Sequence, residues 1–126
     1  MKKITIAIFI ILSCSLTFGQ LSTTKYLVGG DTILTFASQS NAFQIAVVDS
    51  SSQDTVVLER LTIGTGWATV APIALGTGSY VTILTPGVGM NGGLYYVDKN
   101  AQGTFRLRMT DYAPATRSIK VNVEGR

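Results

Sequence analysis

Apolar and polar residues alternate over short stretches through most of this chain. In 103–110, Phe105, Leu107 and Met109 fall on one face of an extended strand, and Arg106 and Arg108 on the other. In 117–123, Ile119, Val121 and Val123 alternate with Lys120 and Asn122, and in 43–48 Phe43, Ile45 and Val47 form a similar set. Successive side chains of a strand point to opposite faces, so a period of two gives each strand a face for a core and a face for water. Nine runs rich in Val, Ile, Thr, Tyr and Phe stand out: 25–28, 32–37, 43–48, 55–62, 67–73, 79–85, 93–97, 103–110 and 117–123. In Val56-Val57-Leu58-Glu59-Arg60-Leu61 the alternation is broken and the faces stay unassigned. Beyond the first twenty residues no window carries the three-and-four apolar spacing of a helix, so none is predicted there.

Turn residues divide the runs: Gly29-Gly30-Asp31, Ser50-Ser51-Ser52 between Asp49 and Asp54, Gly64-Thr65-Gly66, and Gly76-Thr77-Gly78. The last two repeat at a spacing of twelve, which similar turns give without any duplication. Short strands with turns between them predict an all-β fold, a sandwich or a barrel. The expectation is a single antiparallel β-sandwich of seven to nine strands, immunoglobulin-like, with a closed barrel or jelly roll as the alternative.

The first nineteen residues follow another plan. Met1-Lys2-Lys3 is a positive start, and Ile4 to Leu12 is an apolar run broken only by Thr5. Thr17-Phe18-Gly19 then offers small residues at the −3 and −1 positions of a cleavage site. The run is about half the roughly 20 residues a membrane span needs. Residues 1–19 are therefore expected to be a signal peptide, cleaved between Gly19 and Gln20, with 20–126 the β-sandwich domain. Ile11-Leu12-Ser13-Cys14 resembles a lipobox, which would make Cys14 a lipidated first residue, although Leu12 suits that box poorly. Both routes lead out of the cytoplasm.

Composition narrows the chemistry. The 126 residues include no His and a single Cys, and that Cys lies within the expected leader. Beyond the leader there is no His base, Cys nucleophile, disulfide or Cys/His zinc site. The net charge of +3 includes Lys2 and Lys3, so 8 basic side chains face 7 acidic ones afterwards, a net of +1. Nucleic-acid binding asks for a clustered basic face, and none is expected here. The acids are Asp31, Asp49, Asp54, Glu59, Asp98, Asp111 and Glu124. Most stand in predicted turns. Glu59, beside Arg60, reads as an exposed or cross-strand ion pair rather than half of a glycosidase pair, whose carboxyls stand about 5 to 10 Å apart.

Two motifs have plain readings. Gly87-Val88-Gly89-Met90-Asn91-Gly92 matches a dinucleotide-binding string but leads into Leu94-Tyr95-Tyr96-Val97, a strand, where that chemistry needs a helix. Asp98-Lys99-Asn100-Ala101-Gln102-Gly103 resembles the first half of a calcium loop, but the twelfth position is Met109 where a bidentate Glu belongs. A turn between strands accounts for the Asp, Asn and Gly. No metal, cofactor or catalytic residue is expected. The ligand-binding candidates are aromatic: Trp67, Tyr95 and Tyr96. Core packing is the plain reading for Trp67. Tyr95 and Tyr96 are adjacent in a strand, so they point to opposite faces and one is expected to be exposed. Such rings suit sugar or protein contact.

The segment from Gly103 to Asp111, followed by Ser118-Ile119-Lys120-Val121-Asn122-Val123, resembles the last two strands of bacterial immunoglobulin-like modules. A longer resemblance joins Val56-Val57-Leu58-Glu59-Arg60, Trp67-Ala68-Thr69-Val70, Phe105-Arg106-Leu107-Arg108 and the final strand. It is similar to small β-sandwich modules of tailed-phage virion proteins, and implies a decoration or fibre domain without a catalytic site. Two departures stand against it: Thr62-Ile63-Gly64-Thr65-Gly66 replaces the usual Ser-x-Asp-Gly turn, and an export signal is unusual for a protein assembled inside the host. The expected function is a non-catalytic exported structural or interaction module of the bacterial envelope or extracellular space. A virion structural protein is the alternative, and a carbohydrate-binding module the second. The expected partner is a protein or a second copy, met at an edge strand or a sheet face, with a glycan as a further ligand class and nucleic acid excluded.

Overall fold

The computed structural model describes residues 21–28, 31–49, 55–87, 93–110 and 118–125. Among them are nine strands and no helix: β1 (Ser22–Val28), β2 (Ile33–Ser38), β3 (Phe43–Asp49), β4 (Val56–Thr62), β5 (Gly66–Val70), β6 (Ile73–Ala74), β7 (Leu94–Val97), β8 (Gly103–Met109) and β9 (Ser118–Gly125). Two predicted runs behave differently. Run 67–73 divides, because Ala71-Pro72 carries the chain from one sheet to the other and Pro72 has no N–H for a ladder. Run 79–85 forms no strand: Tyr80 bridges to Ile73 in one sheet and Leu84 to Val56 in the other. That segment closes the side of the molecule, so it cannot stay within one ladder.

All strand pairs are antiparallel. One sheet has the order β1-β9-β3-β7-β6 and the other β2-β8-β4-β5. The pairing is nested, β1 with β9, β2 with β8 and β3 with β7, as if a long hairpin had been wrapped around a core. This is the order of a jelly roll. It corrects the immunoglobulin-like expectation, because the first two strands of that fold share a sheet while β1 and β2 lie in different ones. Alternation along single strands looks alike in the two folds, and only long-range pairing separates them.

The sheets face each other across one core. Leu27, Ile45, Val47, Ile119, Val121 and Val123 enter it from the five-stranded sheet, and Leu34, Leu58, Leu107 and Met109 from the other. An aromatic group spans the gap at one end. Phe36 and Phe105, opposite each other on β2 and β8, stack at 5.8 Å, and Phe43 of β3 meets Phe105 edge-on at 5.0 Å. Each buried side chain of this size contributes roughly 1.5–3 kcal/mol.

Candidate functional site

The inward set Phe105, Leu107 and Met109 forces Thr104, Arg106 and Arg108 onto the outer face of the four-stranded sheet. On β4 the buried Leu58 faces inward, so Val57, Glu59 and Leu61 face out beside them. On β5, Trp67 lies opposite Leu61 and Thr69 opposite Glu59. The register sets Glu59 against Arg106 and places Arg108 one step away, opposite Val57. Both guanidiniums close on the one carboxylate. Arg106 Nε donates to Oε2, Arg108 Nη2 donates to Oε1 at 3.1 Å, and Arg108 Nε donates to Oε2 at 3.3 Å. Trp67 completes the group, its ring centroid 4.4 Å from the Arg106 guanidinium carbon.

Glu59 is only 6% exposed, on the side of a sheet that usually faces water. The hydrogen bond from Arg108 holds its carboxyl below the usual value; burial opposes this, and Arg106 adds to the lowering. Glu59 in turn makes Arg108 bind its proton more firmly. An acid committed to two guanidiniums stays ionised and has no proton to give, so this arrangement does not suit acid–base chemistry. It makes an ion-paired patch instead, two cations against one anion, bordered by the exposed Leu61 and the fully exposed Ile63.

The candidate aromatics separate. Trp67 is half-buried on the outer face and does not enter the core. Tyr95 points inward and is 5% exposed. Its hydroxyl donates to Thr85 O at 2.9 Å and accepts from Thr85 N at 2.8 Å, which fastens the segment around Thr85 to β7. Of the adjacent tyrosines only Tyr96 faces outward, half-buried between Gln44 and Ile73 in register. It belongs to the other sheet from Trp67, so the three aromatics form no common site. Elsewhere, Tyr26 is exposed across from Lys120, whose Nζ lies 5.8 Å from the ring centroid. Cys14, Gly19 and Gln20 lie outside the described residues, as do 88–92 of the glycine string. Segment 98–102 is the turn between β7 and β8, with Asn100 in the left-handed region at φ 52°. Among the described residues no three His, Cys, Asp or Glu side chains gather as a metal site.

That turn helps form a polar cleft of about 350 Å³, lined by Asn41, Arg60, Asn100, Ala101 and Gln102. Arg60 Nη2 donates to Gln102 O at 2.9 Å, and Gln102 Nε2 donates to Asn41 Oδ1 at 3.3 Å. Gly103, at φ 133°, lets the guanidinium lie across its backbone, where a Cβ would come within 3.3 Å of Arg60 Nε. Sequence reading did not single out this cleft, because its residues come from three separate segments. The outer-face cluster left a clearer trace: two arginines on one face of a strand, and a single acid in an apolar run.

No family model matches the chain, and no curated protein matches it. Among solved structures it aligns with the Yersinia pseudotuberculosis-derived mitogen at a TM-score of 0.39 and 10% identity, over 85% of each chain, a likeness too slight to use. It is similar to the SPBc2 prophage-derived protein YomS, with a TM-score of 0.63 over 84% of this chain and 91% of that one. At 8% identity, this second likeness bears on the fold alone.

Proposed function

We propose that this chain is a non-catalytic structural or interaction module exported to the bacterial envelope or extracellular space. One observation carries the reading: the outer face of the four-stranded sheet holds an Arg108–Glu59–Arg106–Trp67 cluster in which both guanidiniums are already bonded to one carboxylate, and which continues to edge strand β5. Such a patch is stiff before it binds, which lowers the ordering cost of docking and offers nothing to a reacting bond. The leader reading supplies the compartment. The test is the intact mass of the native protein together with the fraction that yields it. A chain starting at Gln20 in medium or envelope is expected, and an uncleaved chain confined to the cytosol would overturn the export.

A second reading, a virion structural protein, is supported by the shared fold with a prophage-derived protein and by the phage-module resemblance of β4, β5 and β8. An uncleaved chain in purified particles would favour it. Absence from particles would remove it.

A further inference from the structure

The bonds outside the ladders reveal which way each strand turns its backbone. Val56 exchanges two hydrogen bonds with Leu84, N to O at 2.9 Å and O from N at 2.8 Å, on the side of β4 away from β8. Thr110 N donates to Thr55 O at 3.0 Å on the side toward β8. Backbone direction alternates along a strand, so Leu58, Arg60 and Thr62 turn their N–H and C=O toward β5. Their partners there are Val70, Ala68 and Gly66. The N–H and C=O of Trp67 and Thr69 therefore point out of the sheet, and no bond among the described residues occupies them.

The other three edges are guarded. At β6 the chain folds back, Ala74 N donating to Ser79 O and Val81 N to Pro72 O. At β2, Lys25 Nζ donates to Ile33 O at 3.0 Å, so an ammonium sits across that edge. At β1 the same Lys25 is carried on the strand, and Val28 is taken at both N and O by Asp31. Charge on an edge strand deters pairing. By contrast β5, Gly66-Trp67-Ala68-Thr69-Val70, has no charge and no proline, and lies beside the exposed Leu61 and Ile63.

This strand is also complementary to itself. A twofold axis through Ala68 sets Trp67 opposite Thr69 of the second copy, Gly66 opposite Val70, and Ala68 opposite Ala68. Large residues meet small ones on each face, and no like charges meet. Trp67 and Thr69 are the two residues with outward backbone groups, so this register makes both crossings hydrogen-bonded pairs. We propose that two copies of this chain pair β5 with β5, antiparallel about Ala68, joining their four-stranded sheets into one and the two outer-face clusters into one surface. The inference rests on the interaction-module reading and names the partner. A strand-edge contact falls below the roughly 1,000 Å² of stable interfaces, so the dimer forms at high protein concentration or where copies are crowded.

The test is sedimentation of the full chain over a concentration series, with amide exchange read by NMR. A rise to twice the monomer mass is expected, with the Trp67 and Thr69 amides slowing as concentration rises while Ala68 and Val70 stay protected throughout. Thr69→Pro removes an N–H that serves no bond to β4, so the monomer folds and association weakens at least about tenfold. Ala68→Lys, at an exposed position, sets like charges face to face on the axis and gives the same loss by another route. Monomer at every concentration, or association unchanged in both variants, would overturn the proposal. The N-terminal apolar run is present in all three proteins and cannot produce a difference between them. Failure here leaves the mass and fraction test of export untouched, so the two readings fail separately.

Discussion

At Glu59 a carboxylate is buried on the outer face of its sheet, the side turned away from the core. Its neighbour Arg60 is not its partner, because adjacent residues of a strand point to opposite sides; Arg60 lies inward, its guanidinium carbon 5.8 Å from the Phe105 ring centroid. The partners come from β8, 47 and 49 positions along the chain. The cluster also explains the irregular pattern of Val56 to Leu61: with Glu59 covered by two arginines, both faces of β4 are buried at that point, and no wet side remains to read. The folded carboxyl titrates below its ordinary value of 4.5, so its stabilisation is complete above that value and is lost as pH falls through the lowered one. Thermal melts are expected to hold steady, as far as this group decides, from neutral pH to about 5, and to fall below that. Glu59→Gln should remove much of that acid dependence and cost about 1–3 kcal/mol at neutral pH, since two guanidiniums lose their anion. Water reaches both arginines, whose side chains are 21% and 39% exposed, which favours the lower end of that range. A melt of Glu59→Gln that keeps the full acid limb would show that another group carries it.

Seven of the nine expected runs became single strands, and the two that did not share a cause. A run of apolar residues reports burial without saying which sheet supplies it, so a segment crossing between sheets, such as 67–73 or 79–85, looks like a strand. The β7 region shows the same limit in a loop. Gly93 reads only as the end of a glycine-rich turn, yet its O accepts from Val47 N at 2.8 Å and its φ is 73°. A Cβ there would overlap Val47 O and the Gly87 backbone. Gly64, at φ 86°, has open space around the same position. Gly64→Ala therefore meets only the conformational strain of about 1 kcal/mol, whereas Gly93→Ala meets that strain together with a clash against two backbone segments and should cost at least about 2 kcal/mol. Urea melts of the two variants side by side would check the difference, and equal losses would mean that the loop under β3 yields. The aromatic candidates were legible as residues and not as places. Trp67 and Tyr95 both sit in strands, and only the register decides that one stacks on Arg106 while the other anchors Thr85.

In a jelly roll the two ends of the chain complete the same sheet, and here that closure falls on β9. It lies between β1 and β3 and pairs with both along its length, Val123 opposite Thr23 on one side and Ile45 on the other. Ile119, Val121 and Val123 are all fully buried. Losing three such side chains removes roughly 5–9 kcal/mol, comparable to the whole stability of a small domain, and β1 loses the strand it pairs with in the sheet. A chain ending at residue 117 is therefore expected to be unfolded, without the near-ultraviolet circular dichroism of a packed aromatic core. The opposite end behaves differently. Removing residues 1–19 takes away no part of β1, and the bond from Gly125 N to Leu21 O at 2.7 Å survives. A chain starting at Gln20 should melt at the same temperature as the full chain, and one starting after Val28 well below it. The ladder that closes the sheet joins residues about a hundred positions apart, so its formation is slow, and a polypeptide still lacking β9 exposes the flanks of both β1 and β3. Refolding yield should fall with protein concentration more steeply than the proposed β5 pairing would account for, and Thr69→Pro should not rescue it, because the strands then exposed are not β5. Full rescue by that variant would place the vulnerable edge of the folding chain at β5 after all.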